Sequence, residues 1–97
     1  MNGLLKTPTD LKNYICEKFP SLPMEKMHVF KDFYTYHLII VTPEGHLARK
    51  IVYVGKIPAI NDLLPMRLEL ERTVATFLAE HGYLSAEYVK KEYGNGK

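Results

Sequence analysis

Tryptophan is absent from this chain of 97 residues, and cysteine occurs once, as Cys16. A lone cysteine excludes an internal disulfide and fits a reducing compartment. Apolar runs reach only about four residues, far below the ~18 that would read as a membrane span. The opening segment "MNGLLKTPTD" has no extended apolar core, so no secretory signal is expected and the chain reads as cytoplasmic, with no membrane partner. A large excess of one charge is also missing: the net charge is +2, too small to demand a nucleic-acid partner. The imbalance that exists lies early. Residues 1–56 hold eight Lys/Arg against five Asp/Glu, and residues 57–97 hold five against six, so the strand-rich half is the basic one.

Motifs that carry chemistry are scarce as well. His28, His37, His46 and His81 form no HxH or HExxH spacing, and no CxxC exists, so neither a structural nor a catalytic metal set can be assembled. His28 and His37 share one sheet face and are the only pair to weigh; as two ligands they fall short of a site. Cys16 lies mid-helix beside an apolar stripe with no base beside it. The glycines make no phosphate-cradling loop, and Glu69 and Glu71 point to different sides of their helix. The expectation is a protein that is not an enzyme and has no cofactor, metal or evident small-molecule substrate.

What is present reads as one globular domain over residues 1–97, with 94–97 a frayed tail. Hydrophobic residues make up 46% and charged residues 25%, which suits a single core. Thr7, Pro8 and Asp10 carry N-cap, first-turn and capping-box chemistry. Leu11, Tyr14, Ile15 and Phe19 follow at helical spacing, with Leu4 or Leu5 placed to staple against Leu11, and Pro20 stops the element. "MHVF", "YTYHLIIVT" and "LARKIVYV" are rich in β-branched and aromatic residues and predict three strands. "TPEGH" places Gly45 where a type I turn with a bulge needs positive φ. Asn61 or Asp62 can cap the next helix, whose apolar side carries Leu70, Val74, Phe77 and Leu78 and which ends at His81–Gly82. Ser85 caps a last short helix that stops at Gly94. The predicted fold is α+β, in the order α-β-β-β-α-α.

The strands raise a question of coverage, because a half-buried strand should alternate and these do not. With Thr42 opposite His46, Ile40 faces Ala48, Leu38 faces Lys50, Tyr36 faces Val52 and Tyr34 faces Val54. With Lys31–Asp32 as the first turn, Val29 faces Tyr34 and Met27 faces Tyr36. One face then holds Met27, Val29, Tyr34, Tyr36, Leu38, Ile40, Ala48, Val52 and Val54, and it should meet the helices. The other holds His28, Phe30, Phe33, Thr35, His37, Ile39, Val41, Leu47, Arg49, Ile51 and Tyr53. So many apolar groups exceed what a monomer usually leaves bare.

Two resemblances bear on a nucleic-acid alternative. The order α-β-β-β-α over about residues 8–81 is similar to that of the double-stranded-RNA-binding domain, in topology. At the start of the last helix of that unit, "LLPMRLELE" offers Arg67 alone. "VATFLAEHGYLSAEYVKKEYG" loosely resembles a helix-turn-helix, with Glu87, Lys90, Lys91 and Glu92 on the reading helix. On the sheet side the residues themselves offer the route, with Phe30, Phe33 and Tyr53 to stack on bases and Lys26, Arg49 and the histidines to meet phosphate. The helix-turn-helix likeness implies binding through Lys90 and Lys91. The principal expectation is a non-catalytic interaction or regulatory module, self-associating or binding another protein, through Phe33, His37, Ile39, Arg49, Ile51 and Tyr53. Seven tyrosines suit such a surface, since each joins apolar area to a hydrogen-bonding tip.

Overall fold

The first helix begins where its capping chemistry is strongest. Thr7 has extended backbone at the N-cap; its hydroxyl accepts from the Asp10 amide at 3.1 Å, and the Asp10 carboxylate accepts from the Thr7 amide at 3.1 Å. The box satisfies two donors that the helix itself leaves orphaned. The Lys6 amide, helped by that of Thr7, also holds the Asp10 carboxyl below its ordinary value. In the computed structural model, which describes residues 5–56 and 64–94, this helix is α1 (Pro8–Lys18). After it come a 3-10 turn (Met24–Lys26), β1 (Met27–Asp32), β2 (Thr35–Val41), β3 (Leu47–Val54), α2 (Leu64–Glu80) and α3 (Ala86–Tyr93). This is the α+β order expected, α-β-β-β-α-α. The suggested caps Asn61 and Asp62, the staple candidate Leu4 and the tail beyond Gly94 lie outside the described residues. Ser85 does cap α3, accepting from the Tyr88 amide at 3.0 Å.

The strands form one antiparallel sheet in the order β1-β2-β3. Between β2 and β3 the expected register holds from Val41↔Leu47 to His37↔Ile51. Gly45 supplies the left-handed residue, φ 90°, that the turn requires. Beyond that the pairing departs from expectation. His37 faces Ile51 but Tyr36 faces Tyr53, so Val52 is the extra residue of a bulge. A bulge reverses which side the following residues take. Tyr53 accordingly turns inward beside Tyr36, ring centroids 6.0 Å apart, and its hydroxyl donates to the Lys56 carbonyl at 3.1 Å. Val54, expected inside, is exposed opposite Thr35. Gly55 makes this possible. A Cβ there would stand 3.0 Å from the Tyr53 hydroxyl, and its φ of 139° suits glycine alone.

The first hairpin also closes later than expected. Met27 pairs with Ile40, Val29 with Leu38 and Asp32 with Thr35, so Phe33 and Tyr34 form the turn in place of Lys31–Asp32. Neither dipeptide has the glycine or asparagine that would specify a turn, and the later closure extends the ladder to six pairs. Every partner moves by four residues. Four is even, so no side chain changes face. Tyr34, expected on the inner face, becomes an exposed turn residue, and Lys31 takes an inward position 6.0 Å from the ring centroids of Tyr34 and Tyr36.

Among the described residues the helices cover one side only. Leu11 and Ile15 of α1, and Leu70, Val74, Ala75, Phe77 and Leu78 of α2, join Met27, Val29, Tyr36, Leu38, Ile40 and Val52 in a single buried cluster, with Leu5, Phe19 and Leu22 closing its end. Tyr36 is 2% exposed, and Leu38 and Ile40 are 0% exposed. The even positions of β1 and odd positions of β2 thus face away from the helical layer.

Candidate interaction face

The outward side of the sheet can be read from the register as a grid. Along one cross-strand row stand His28, Ile39 and Arg49; along the next, Phe30, His37 and Ile51; Val41 and Leu47 lie beyond the first row, and Asp32 and Thr35 beyond the second. His37 occupies the middle. Its ring stacks on Phe30 at 4.5 Å and 6°, and the His28 ring stands 6.3 Å from the same phenylalanine at 22°. The His37 Nδ1 is buried and is the one side-chain polar atom of this kind without a hydrogen-bond partner among the described residues. Phe30, Ile39 and Val41 are half-buried, whereas Leu47 is 76% and Ile51 49% exposed. The face sets apolar side chains around a central histidine, with one arginine and one aspartate at its margins.

Of the six residues proposed for partner binding, the fold brings His37, Ile39, Arg49 and Ile51 together on this surface. Tyr53 is not among them, because the bulge sends it to the core side. Phe33 is not on a strand at all. It sits at the hairpin tip beside Asp32 and Thr35, 86% exposed, with a left-handed φ of 58°. For a bulky L-residue that conformation costs roughly 1–2 kcal/mol. The four cations of the alternative reading are dispersed. Lys26 ends the 3-10 turn, Arg49 stands on β3, and Lys90 and Lys91 lie on α3, exposed beside exposed Glu87 and Glu92. Arg67 places its guanidinium 5.3 Å from the Tyr14 ring centroid.

One polar cluster escaped the sequence reading. Glu71 is only 5% exposed. Its carboxylate accepts a short hydrogen bond from the Tyr14 hydroxyl and a longer one, 3.4 Å, from the Tyr93 hydroxyl, while Lys18 Nζ stands 3.8 Å away. The cluster ties α1, α2 and α3 together, and Arg72 reinforces it by donating to the Tyr93 carbonyl at 2.9 Å. Burial, with the adjacent carboxylate, pushes the Tyr14 hydroxyl well up from its ordinary value and raises that of Tyr93 to about 12. The signal was available in the spacing: Glu71, Val74, Ala75 and Leu78 fall on one helical stripe. All of Glu71's partners are structural side chains, and its role is to dock α3.

Other chemistry-bearing groups find ordinary settings. Cys16 lies 3.1 Å from the Met27 sulfur, and burial pushes its thiol up, away from reactivity. Among the described residues no three His, Cys, Asp or Glu side chains converge as a metal set, and no helix is long and apolar enough to cross a membrane. A hollow of about 210 Å³ between β3 and α2 is lined by Lys50, Glu69, Arg72, Thr73, Thr76, Phe77 and Glu80. It is smaller than the ~300 Å³ at which ligand pockets usually begin, and Arg72 is already engaged by Glu69 at 2.8 Å. Compared with known proteins, the chain matches no family model, no curated protein and no solved structure.

Proposed function

We propose that this protein is a non-catalytic interaction module that binds another protein surface through the outward face of its sheet. The observation that carries this reading is the segregation of the two faces. One side is sealed beneath α1 and α2, and the other presents Phe30, Ile39, Val41, Leu47 and Ile51 around His37 with no described helix packed on it. Fully burying a side chain of this class is worth roughly 1.5–3 kcal/mol, so a partner covering Leu47 and Ile51 gains several kcal/mol before ordering costs. Electrostatics favours a protein over nucleic acid as the occupant. The face offers Arg49 as its only full cation and balances it with Asp32, while phosphate contacts dominate nucleic-acid affinity.

The test is site-specific photo-cross-linking in cells, with a benzophenone amino acid at Ile51 and, as control, at Glu80 on the exposed side of α2. The reading predicts discrete protein adducts from position 51 that position 80 does not form. Equal adduct patterns from both positions, or adducts at 51 that nuclease removes, would refute it.

A further inference from the structure

The distribution of charge on the outward face names its occupant. Arg49 lies on edge strand β3 in the row of Ile39 and His28. Asp32 lies on the opposite edge strand, four residues beyond His28. With strands ~4.8 Å apart and residues rising ~3.3 Å, the two charges sit diagonally on opposite edge strands, with Phe30, His37, Ile39 and Ile51 between them. Neither has an ion-pair partner among the described residues. A surface with one cation and one anion so placed is complementary to itself. A second copy laid face to face, with its strands crossing at near right angles, brings each Arg49 across the partner's Phe30 toward the partner's Asp32. The twofold axis then crosses His37, the midpoint of that diagonal, with Phe30 and Ile51 on either side of it.

We propose that the outward faces of two copies of this chain pack in this way, as an orthogonal sheet-on-sheet dimer joined by two reciprocal Arg49–Asp32 pairs around a twofold axis at His37, with Ile51 beside it. The proposal rests on the reading of this face as a protein-binding surface and supplies the partner. Charge complementarity is the argument for it: an acidic or basic partner protein would leave Arg49 or Asp32 opposed by its own sign, whereas a second copy matches both. Size adds a constraint. Three strands of about seven residues span roughly 14 by 23 Å, which is less than the ~800 Å² that each side of a standard interface contributes. The dimer is therefore weak and transient, formed and lost within an accessible concentration range.

Sedimentation velocity on the purified full chain, from about 5 to 500 µM, tests this with a charge-swap series. The wild type shifts from monomer to dimer across that range. Arg49→Asp and Asp32→Arg each weaken the dimer more than about tenfold, since close charge pairs couple by that much or more. The double variant Arg49→Asp/Asp32→Arg recovers most of the affinity. Ile51→Glu abolishes association by setting a carboxylate on each side of the axis, and its circular dichroism stays that of the wild type because Ile51 is outside the core. A wild type that remains monomeric at every concentration overturns the dimer. Should position 51 nevertheless cross-link to another protein in cells, the interaction reading stands without it. A dimer indifferent to all four variants, or single-site losses that the double swap fails to recover, overturns the proposed pairing. So does a monomer that gains mass only when a single-stranded oligonucleotide is added.

Discussion

Replacing Tyr14 with phenylalanine removes one oxygen atom from the structure and nothing from the core's shape. That oxygen is the nearest hydrogen-bond donor to Glu71, a carboxylate only 5% exposed. The groups left behind are poorly placed to compensate, with Tyr93 at 3.4 Å and Lys18 at 3.8 Å. A hydrogen bond to a charged group contributes about 1.5–3 kcal/mol, and leaving a buried acceptor short of partners costs a similar amount. In a domain of this size each kcal/mol moves Tm by about 4–8 °C. Tyr14→Phe should therefore melt on the order of 10 °C below the wild type, with Tyr88→Phe, at an exposed site on α3, as the control. Thermal unfolding followed by far-ultraviolet circular dichroism measures this, and urea titration checks that the slope of the transition is unchanged. A second variant, Tyr14→Phe/Tyr93→Phe, should lose more than the two singles summed, because both hydroxyls serve one carboxylate. If Tyr14→Phe melts within 2 °C of Tyr88→Phe, Glu71 does not depend on that hydroxyl and the account of α3 docking is wrong.

Phe33→Gly should raise Tm by a few degrees, since glycine relieves a left-handed strain of roughly 1–2 kcal/mol while adding some unfolded-state entropy; an unchanged or lower Tm would show that the turn has no strain to relieve. Gly55→Ala should lower Tm, because its Cβ meets the Tyr53 hydroxyl at 3.0 Å and its φ is 139°, and Tyr53→Phe alone should not reproduce that loss. Alkaline pH should unfold the protein through its tyrosines. Tyr93 is raised from 10.0 to about 12, and Tyr14 is raised as well. A raised phenol contributes stability that is intact below pH ~10 and is lost as pH climbs through the folded-state value. Absorbance at 295 nm should accordingly show a late tyrosinate phase that coincides with loss of helical signal, and that shrinks in Tyr93→Phe. A titration completed near pH 10 with the fold intact would contradict it.

Local chemistry was legible in the sequence because it is self-contained. Thr7 with Asp10, Ser85 and Gly45 each act on backbone groups within a few residues, and all three appear where their side chains or φ angles demanded. The second hairpin followed from its turn. The first did not: Lys31–Asp32 and Phe33–Tyr34 are equally poor turn pairs, and the longer ladder from Met27↔Ile40 decided between them. Since the shift was even, the two faces survived the error. The bulge at Val52 was beyond sequence reasoning, because what fixes it is the seat of the Tyr53 ring against Tyr36 and over Gly55, a tertiary contact. That bulge removed Tyr53 from the outward face, and the later turn removed Phe33. His37, Ile39, Arg49 and Ile51 remained. Asp32 joins them because the ladder runs on to Asp32↔Thr35, a closure that local turn chemistry does not specify. Glu71 is readable on the apolar stripe of α2, but its partners Tyr14, Lys18 and Tyr93 come from other helices and are not.

Side-chain oxidation by hydroxyl radicals, compared between dilute purified protein and intact cells, tests most directly whether the outward face is occupied. Leu47 and Ile51 should be labelled in the dilute protein and shielded in cells, Leu38 and Ile40 should be shielded in both, and Tyr88 should be labelled alike in both. Equal labelling of Leu47 and Ile51 under the two conditions would mean that nothing binds there.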